Sequence, residues 1–256
     1  MKVTVIQPDI VWGDPRQNIS RVEEKIAKAP RADLYVLPEM WSTGFTMTPE
    51  LHAESEPSLS LEWMKDAASR TGAAIAGSLA FKDGDFRNRF FFVKPGGEVF
   101  HYDKKHLFTY SGEHLRYTSG SRRVIIPWRG VRILLTVCYD IRFPMWCRNR
   151  DEYDLMLCVA SWPSPRAEAW KSLVRARAVE NQCYVAAVNR VGTDPGCKYQ
   201  GDSAVIDCNG TAIAAVAPGE RGTATVEIDM ASLETSRAKF PLLKDVILYH
   251  DWNENF

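Results

Sequence analysis

The sequence lacks the features of several large classes of protein. Among its 256 residues, 32 lysine and arginine residues balance 32 aspartate and glutamate residues, so no net positive charge is present to attract a nucleic acid. No run approaches the roughly 18 consecutive apolar residues that span a bilayer, and a polar residue interrupts the N-terminus before an apolar signal core can form. We therefore expect a cytoplasmic protein whose partners include neither a nucleic acid nor a membrane.

Cysteine and histidine occur without the spacings that bind metals or build a disulfide scaffold. The six cysteines include no C-x-x-C pair, and the five histidines include no H-E-x-x-H pattern. Six cysteines are also too few to form the disulfide framework of a chain this long. The sequence therefore predicts reduced thiols, no metal and no cofactor.

What the sequence does contain is the mixture of an ordinary globular protein, with 45% hydrophobic and 25% charged residues. No linker rich in proline, glycine or serine divides it, and no repeat of solenoid period is present. We expect residues 1–256 to form a single domain. An aromatic tail at about 240–256 is expected to be either a surface strap or part of a subunit contact.

Patterns typical of strands and helices alternate along the chain. Asp14 and Pro15 form a helix-capping signal, and Asp83-Gly84-Asp85 is typical of a hairpin turn. The periodicity predicts strands at 3–6, 33–37, 131–137, 154–160 and 183–189, antiparallel hairpins within 73–102, further strands after 201, and helices near 59–70, 166–181 and 230–238. This alternation predicts a layered α/β domain with mixed sheets.

Three reactive side chains follow predicted buried strands. Glu39 comes after Leu-Tyr-Val-Leu-Pro, Lys104 after Glu-Val-Phe-His-Tyr-Asp, and Cys138 after Val-Arg-Ile-Leu-Leu-Thr-Val. Functional groups of α/β proteins concentrate at strand ends, where the rigid scaffold stops and side chains converge on an open crevice. The sequence therefore predicts that these three residues share a site.

Each of the three suggests a chemical role. Cys138 stands between a strand and a predicted helix start, where N–H groups and the helix dipole are expected to stabilise a thiolate nucleophile. Glu39 has the apolar neighbours that suit a general base. Lys104 and Lys105 are adjacent, so their side chains leave a strand on opposite faces and only one can enter a site. The spacing alone does not choose between them.

Three segments together resemble the signatures of the nitrilase, or carbon–nitrogen hydrolase, superfamily, in matching order: Pro38-Glu39, Tyr102-Asp103-Lys104-Lys105-His106-Leu107-Phe108, and Cys138-Tyr139-Asp140-Ile141-Arg142-Phe143-Pro144. The sequence is most similar to the ω-amidase group of that superfamily. The resemblance implies a four-layer α-β-β-α sandwich and a Glu39–Lys104–Cys138 triad. It selects Lys104 through the pattern Lys-x-His-Leu-Phe. It also implies that Glu113 orients the lysine and the substrate, and that the chain forms dimers or larger homo-oligomers.

The implied activity is hydrolysis of a small amide, such as 2-oxoglutaramate or 2-oxosuccinamate, through a thioester on Cys138. Lys104 and the Tyr139 N–H are expected to hold the oxyanion. Arg142 is the nearest cation in sequence for a substrate carboxylate, although it could equally form a structural ion pair with Asp140 or another acid. The aromatic and apolar residues that flank the motifs could enclose the substrate; they are Met40, Trp41, Phe45, Tyr110, Tyr139 and Trp162.

Three alternatives stay open at the level of sequence. The first is another carbon–nitrogen hydrolase, such as an aliphatic amidase, a nitrilase or an N-carbamoyl hydrolase. The second is a cysteine peptidase that pairs Cys138 with His101, His106 or His114. The third is a non-catalytic interaction module, in which Cys138 would react no faster than a simple exposed thiol.

Overall fold

The computed structural model describes residues 1–245 and contains two six-stranded mixed sheets. The strands are β1 (Lys2–Gln7), β2 (Leu34–Val36), β3 (Ala74–Asp83), β4 (Asp85–Val93), β5 (Val99–Asp103), β6 (Ile125–Trp128), β7 (Val131–Val137), β8 (Leu155–Val159), β9 (Tyr184–Val188), β10 (Val191–Thr193), β11 (Lys198–Gln200), β12 (Ala204–Ile206), β13 (Ala212–Ala215) and β14 (Gly222–Glu227). The first sheet has the order β14-β1-β2-β3-β4-β5, and the second has the order β13-β12-β9-β8-β7-β6. Strands β10 and β11 form a separate two-stranded ribbon.

Parallel pairing occupies the middle of both sheets. Strands β1, β2 and β3 run parallel in the first sheet, and β7, β8 and β9 run parallel in the second. The outer strands pair antiparallel. The β3–β4–β5 meander confirms the hairpins predicted within 73–102.

The helices cover the outer faces of the two sheets. They are α1 (Pro15–Lys28), α2 (Pro49–His52), α3 (Leu59–Thr71), α4 (Pro144–Cys147), α5 (Ala167–Glu180) and α6 (Met230–Lys239). One apolar cluster packs α1 and α3 against the first sheet, and a larger one joins the facing sides of both sheets and includes buried residues of α5. The layers therefore follow the order α-β-β-α, which confirms the predicted sandwich. Within residues 1–245, no helix has both the length and the apolar character needed to cross a bilayer.

Local sequence explains where the two helices on the first sheet begin. Asp14 caps α1 by accepting a hydrogen bond from the backbone N–H of Gln17 at 3.0 Å, and Pro15 occupies the first helical position, as predicted. Ser58 caps α3 in the same way by accepting from the N–H of Leu61. These caps fix the connections on either side of β2, the strand that leads into Glu39.

The sequence patterns missed strand β6 and the β10–β11 ribbon. Strand β6 contains Pro127, which cannot donate to a ladder and is tolerated because β6 lies at the edge of its sheet. Most of the aromatic tail expected at 240–256 falls outside the described residues. Phe240, which is within them, is exposed.

Candidate active site

The loops beyond three strands carry Glu39, Lys104 and Cys138 to one place between the sheets. Glu39 follows β2 by three residues, Lys104 follows β5 directly, and Cys138 follows β7 directly. Glu39 and Lys104 are almost completely buried, and Cys138 lines a cavity. The thiol lies close enough to both charged groups that each affects its pKa.

Hydrogen bonds from three directions fix the Glu39 carboxylate. Its Oε1 accepts from Lys104 Nζ at 2.8 Å and from Asn88 Nδ2 at 2.7 Å. Its Oε2 accepts from the backbone N–H of Ser161 at 2.8 Å. Ser161 follows β8 of the second sheet, so this carboxylate connects the ends of both sheets. A carboxylate with three donors in a buried site has little freedom to change orientation.

Lys104 lies between two carboxylates. Its Nζ is 2.8 Å from Glu39 Oε1 and 2.9 Å from Glu113 Oε2, and all three side chains are buried. Burial alone would lower the pKa of Lys104, but Glu113 and Glu39 outweigh it and hold the pKa well above its usual value. The lysine is therefore a fixed ammonium. The structure also distinguishes it from Lys105, which contacts neither carboxylate among the described residues.

Glu113 stands behind the lysine, outside the cavity wall. Burial raises the pKa of Glu113, Lys104 opposes that shift, and Glu39 adds to it. Its Oε2 also accepts a hydrogen bond from the Phe108 N–H at 2.6 Å, which ties the loop after β5 to the lysine. The geometry fits an orienting residue for Lys104.

Asn88 is a polar residue of the site that the sequence patterns missed. Its Nδ2 donates to Glu39 at 2.7 Å and to Glu113 Oε1 at 3.0 Å, and its Oδ1 accepts from Ser78 Oγ at 2.9 Å. It lies within β4, where hairpin alternation gives an asparagine no special signal. The buried carboxylates thus share a donor that carries no charge.

Cys138 adopts a backbone conformation that is unusual for a residue with a side chain. Its φ is 47°, in the left-handed region, at the junction of β7 and a short 3-10 helix, Cys138–Arg142. Burial raises the pKa of Cys138 well above its usual value, the adjacent Glu39 raises it further, and Lys104 only partly offsets them. Burial and Glu39 therefore oppose the thiolate that backbone N–H groups and a helix dipole are expected to stabilise. The direction of this shift favours the protonated thiol, so a base is needed to remove its proton.

A cavity of about 590 Å³ opens onto the Cys138 thiol. Of the six residues expected to enclose a substrate, four line it: Phe45, Tyr110, Tyr139 and Trp162. Met40 and Trp41 do not, because both are fully buried in the core. Trp41 packs against Trp63 with ring centroids 5.1 Å apart.

Arg142 also lines the cavity, and it does not pair with Asp140. The Asp140 carboxylate instead accepts hydrogen bonds from the Tyr102 hydroxyl at 2.8 Å and from the backbone N–H of Val137 at 2.9 Å. The guanidinium of Arg142 lies over the Trp162 ring, 4.8 Å from its centroid. Within residues 1–245 no acidic side chain forms an ion pair with it.

The histidines that a cysteine peptidase would need do not line the cavity beside Cys138. His106 Nδ1 is 2.8 Å from Asp140 Oδ1, and its ring stacks on Phe143 with centroids 3.7 Å apart. His101 and His114 are exposed, and none of the three lines the cavity. The arrangement therefore favours Glu39, not a histidine, as the base for Cys138.

A family model for carbon–nitrogen hydrolases matches residues 2–238. The chain belongs to this family. A similar curated relative of this hydrolase is omega-amidase YafV of Escherichia coli K12. The two are 43% identical over 98% of this chain and 99% of the relative's chain. Another is the 2-oxoglutaramate amidase of Bacillus subtilis 168, 36% identical over 95% of this chain and 96% of its own.

Solved structures of similar proteins resemble this carbon–nitrogen hydrolase. XC1258 of Xanthomonas campestris, a CN-hydrolase superfamily protein with an arsenic adduct in its active site, is 41% identical. Its TM-score is 0.93, with 96% of each chain covered. Saccharomyces cerevisiae Nit3, at 23% identity, 94% coverage of each chain and a TM-score of 0.86, shares the fold.

Proposed function

We propose that the protein is an ω-amidase that hydrolyses the terminal amide of a small 2-oxo acid, such as 2-oxoglutaramate or 2-oxosuccinamate. The observation that carries the proposal is the buried Glu39–Lys104 pair, with Nζ and Oε1 2.8 Å apart, adjoining the Cys138 thiol on the cavity wall. The relatives named as ω-amidase and 2-oxoglutaramate amidase support the choice of substrate.

The first half of the proposed reaction is acylation. Glu39 removes the thiol proton as Cys138 Sγ attacks the amide carbon, and the carbonyl electrons move to oxygen. Lys104 Nζ and the N–H of Tyr139 stabilise the oxyanion, since an N–H in the first turn of a helix has no partner within that helix. The oxyanion then re-forms the carbonyl, the C–N bond breaks, and the leaving nitrogen takes the proton from Glu39 to depart as ammonia.

The second half is hydrolysis of the thioester. Glu39 removes a proton from a water molecule, the hydroxide oxygen bonds to the acyl carbon, and the C–S bond breaks. The sulfur recovers the proton, which leaves a carboxylic acid and a neutral thiol. The raised pKa of Cys138 fits this scheme, because the thiolate forms only as the new bond forms and is a good base for the returning proton.

The cavity wall supports a substrate with a short stem and a negative charge. Phe45 and Trp162 offer apolar faces, and the Arg142 guanidinium lies 4.8 Å from the Trp162 ring centroid without an acidic partner among the described residues. A 2-oxo acid amide combines a short apolar stem with a carboxylate. Neutral aliphatic amides would leave the cation without a partner.

Ammonia release from a panel of compounds tests this assignment. The panel contains 2-oxoglutaramate, 2-oxosuccinamate, glutamine, simple nitriles and N-carbamoyl amino acids. The ω-amidase proposal predicts the highest kcat/KM for the two keto amides. Preference for a nitrile or a carbamoyl compound would contradict it and would favour another carbon–nitrogen hydrolase activity.

We further propose a cytoplasmic homodimer or larger homo-oligomer. All six cysteines are free thiols, which fits a reducing compartment. Phe240, at the start of the aromatic tail that is expected to be a surface strap or part of a subunit contact, is an exposed large apolar side chain. Light scattering coupled to size-exclusion chromatography gives the mass in solution; a monomer at micromolar concentration would contradict the oligomer.

A further inference from the structure

A second guanidinium, that of Arg166, also lines the cavity. By contrast, Arg89 pairs with an aspartate at 2.6 Å and Arg132 with another at 2.8 Å. Across the part of the chain that the structure describes, neither Arg142 nor Arg166 forms an ion pair. Of the other charged residues that line the cavity, Asp194 accepts a hydrogen bond from the Tyr199 hydroxyl and lies 3.8 Å from Arg190, and Lys198 is a further cation. Among the described residues, the cations of the lining therefore outnumber its one carboxylate, which gives a positive potential there. The cavity therefore favours an anionic ligand.

Aromatic rings hold Arg166 in a defined orientation. Its Cζ lies 5.4 Å from the centroid of Phe108 and 5.8 Å from that of Tyr110. Its backbone is also fixed, because Trp162 Nε1 donates to the Arg166 carbonyl at 2.8 Å. Contact with a ring uses the face of a guanidinium and leaves its in-plane N–H donors available, and that planar fork matches a carboxylate. The structure thus presents an oriented, unneutralised carboxylate-binding group.

Arg142 and Arg166 lie on different segments of the chain, and only Arg142 shares one with the Cys138 nucleophile. Arg142 lies in the same short helix as Cys138, whereas Arg166 lies at the end of a separate turn, Ser164–Arg166. Arg166 contacts Tyr110, whose side chain is 84% exposed, so it belongs to the outer part of the cavity. A substrate whose amide carbon reaches Cys138 would extend its far end toward this part. Arg166 is therefore suited to the end of the substrate opposite the amide.

We propose that Arg166 binds the carboxylate of the substrate in a bidentate manner and thereby selects anionic amides over neutral ones. This inference rests on the proposed amidase function. It assigns the selectivity to a residue outside the three motif segments.

Kinetics on two substrates of the same chain length test the inference. For 2-oxoglutaramate, Arg166→Gln is expected to raise KM by about 10- to 100-fold with kcat within about 3-fold, because a charge-assisted pair is lost without disturbing the triad. For pentanamide, which has no carboxylate, kcat/KM should stay within about 2-fold of the native value. Arg166→Lys, which keeps the charge but not the fork, should recover part of the loss.

Arg175→Gln is the matched control. Arg175 lies on α5, is exposed and does not line the cavity, so this change removes the same charge from the molecule without altering the proposed contact. It should leave the preference for 2-oxoglutaramate over pentanamide unchanged. Equal preference in Arg166→Gln and the native protein would overturn the inference.

Binding of glutarate, a dicarboxylate that has no amide to hydrolyse, separates this inference from the proposed function. By calorimetry, Arg166→Gln is expected to bind glutarate at least about 10-fold more weakly than the native protein does. Equal affinities, or no binding by the native protein, would overturn the role of Arg166. Failure of the proposed function instead appears in the native protein as absence of ammonia release from 2-oxoglutaramate.

Discussion

Replacing Asn88 by alanine would remove a neutral donor that the two buried carboxylates share. Asn88 Nδ2 donates to Glu39 at 2.7 Å and to Glu113 at 3.0 Å. A hydrogen bond to a charged group contributes about 1.5–3 kcal/mol, so losing both should lower the free energy of unfolding by about 3–6 kcal/mol. Glu39 would keep Lys104 and the Ser161 N–H as donors. Its carboxylate would still be present, but less firmly oriented toward the thiol.

The kinetic consequence should appear in kcat. Loss of one of three orienting contacts is expected to lower kcat by about 10- to 100-fold, which corresponds to about 1.4–2.7 kcal/mol of activation free energy. KM should stay within about 3-fold, because Asn88 does not line the cavity. Steady-state ammonia release at saturating substrate, together with urea unfolding followed by circular dichroism, measures both effects.

Asn149→Ala is the matched control for this experiment. Asn149 is also a fully buried asparagine, and its Nδ2 donates to the Tyr153 and Asn181 carbonyls, not to the site. It should lose a comparable free energy of unfolding while the folded enzyme keeps kcat within about 3-fold. If Asn88→Ala lowers kcat no more than Asn149→Ala does, the shared-donor reasoning is refuted.

Two further predictions concern the backbone beside Lys104 and the pH dependence of stability. A Cβ on Gly120 would lie 2.0 Å from the Asp103 carbonyl oxygen, so Gly120→Ala should shift the end of β5. We expect this shift to lower kcat, measured by ammonia release, by about 10-fold or more. Gly96→Ala is the control and should leave kcat unchanged, because its Cβ meets open space. Burial raises the pKa of Asp154, but hydrogen bonds from Arg132 and Arg237 outweigh this effect and hold the pKa below its usual value. The stabilisation from Asp154 is therefore complete above about pH 4 and is lost as the pH falls through the folded-state pKa. Thermal unfolding should show that Asp154→Asn lowers Tm at pH 7 more than at pH 3; an equal decrease at both would contradict the pairing.

The sequence was sufficient to predict that the residues following these strands lie close together. Glu39, Lys104 and Cys138 come directly after, or within three residues of, β2, β5 and β7, whose apolar runs are readable from the sequence. Strand ends converge where the sheets stop, so position along the chain carried information about proximity in space. The choice of Lys104 over Lys105, however, needed the family resemblance.

Other parts of the site depend on contacts between residues far apart in sequence. Asn88 and Glu39 are separated by 49 positions, and no local pattern relates them. Arg166 acquires its position from rings of another loop, Phe108 and Tyr110. The direction of the Cys138 pKa shift could not be predicted from the sequence, because it comes from burial that only the packed sheets create.

Mass spectrometry of the protein during turnover tests the central claim most directly. After rapid acid quenching of a reaction with 2-oxoglutaramate, the account predicts a covalent adduct whose mass is that of the substrate less ammonia, on the peptide that contains Cys138 and on none with another cysteine. Cys138→Ala should show neither the adduct nor ammonia release. Sustained turnover by Cys138→Ala, or an adduct on a different residue, would contradict the proposed thioester mechanism.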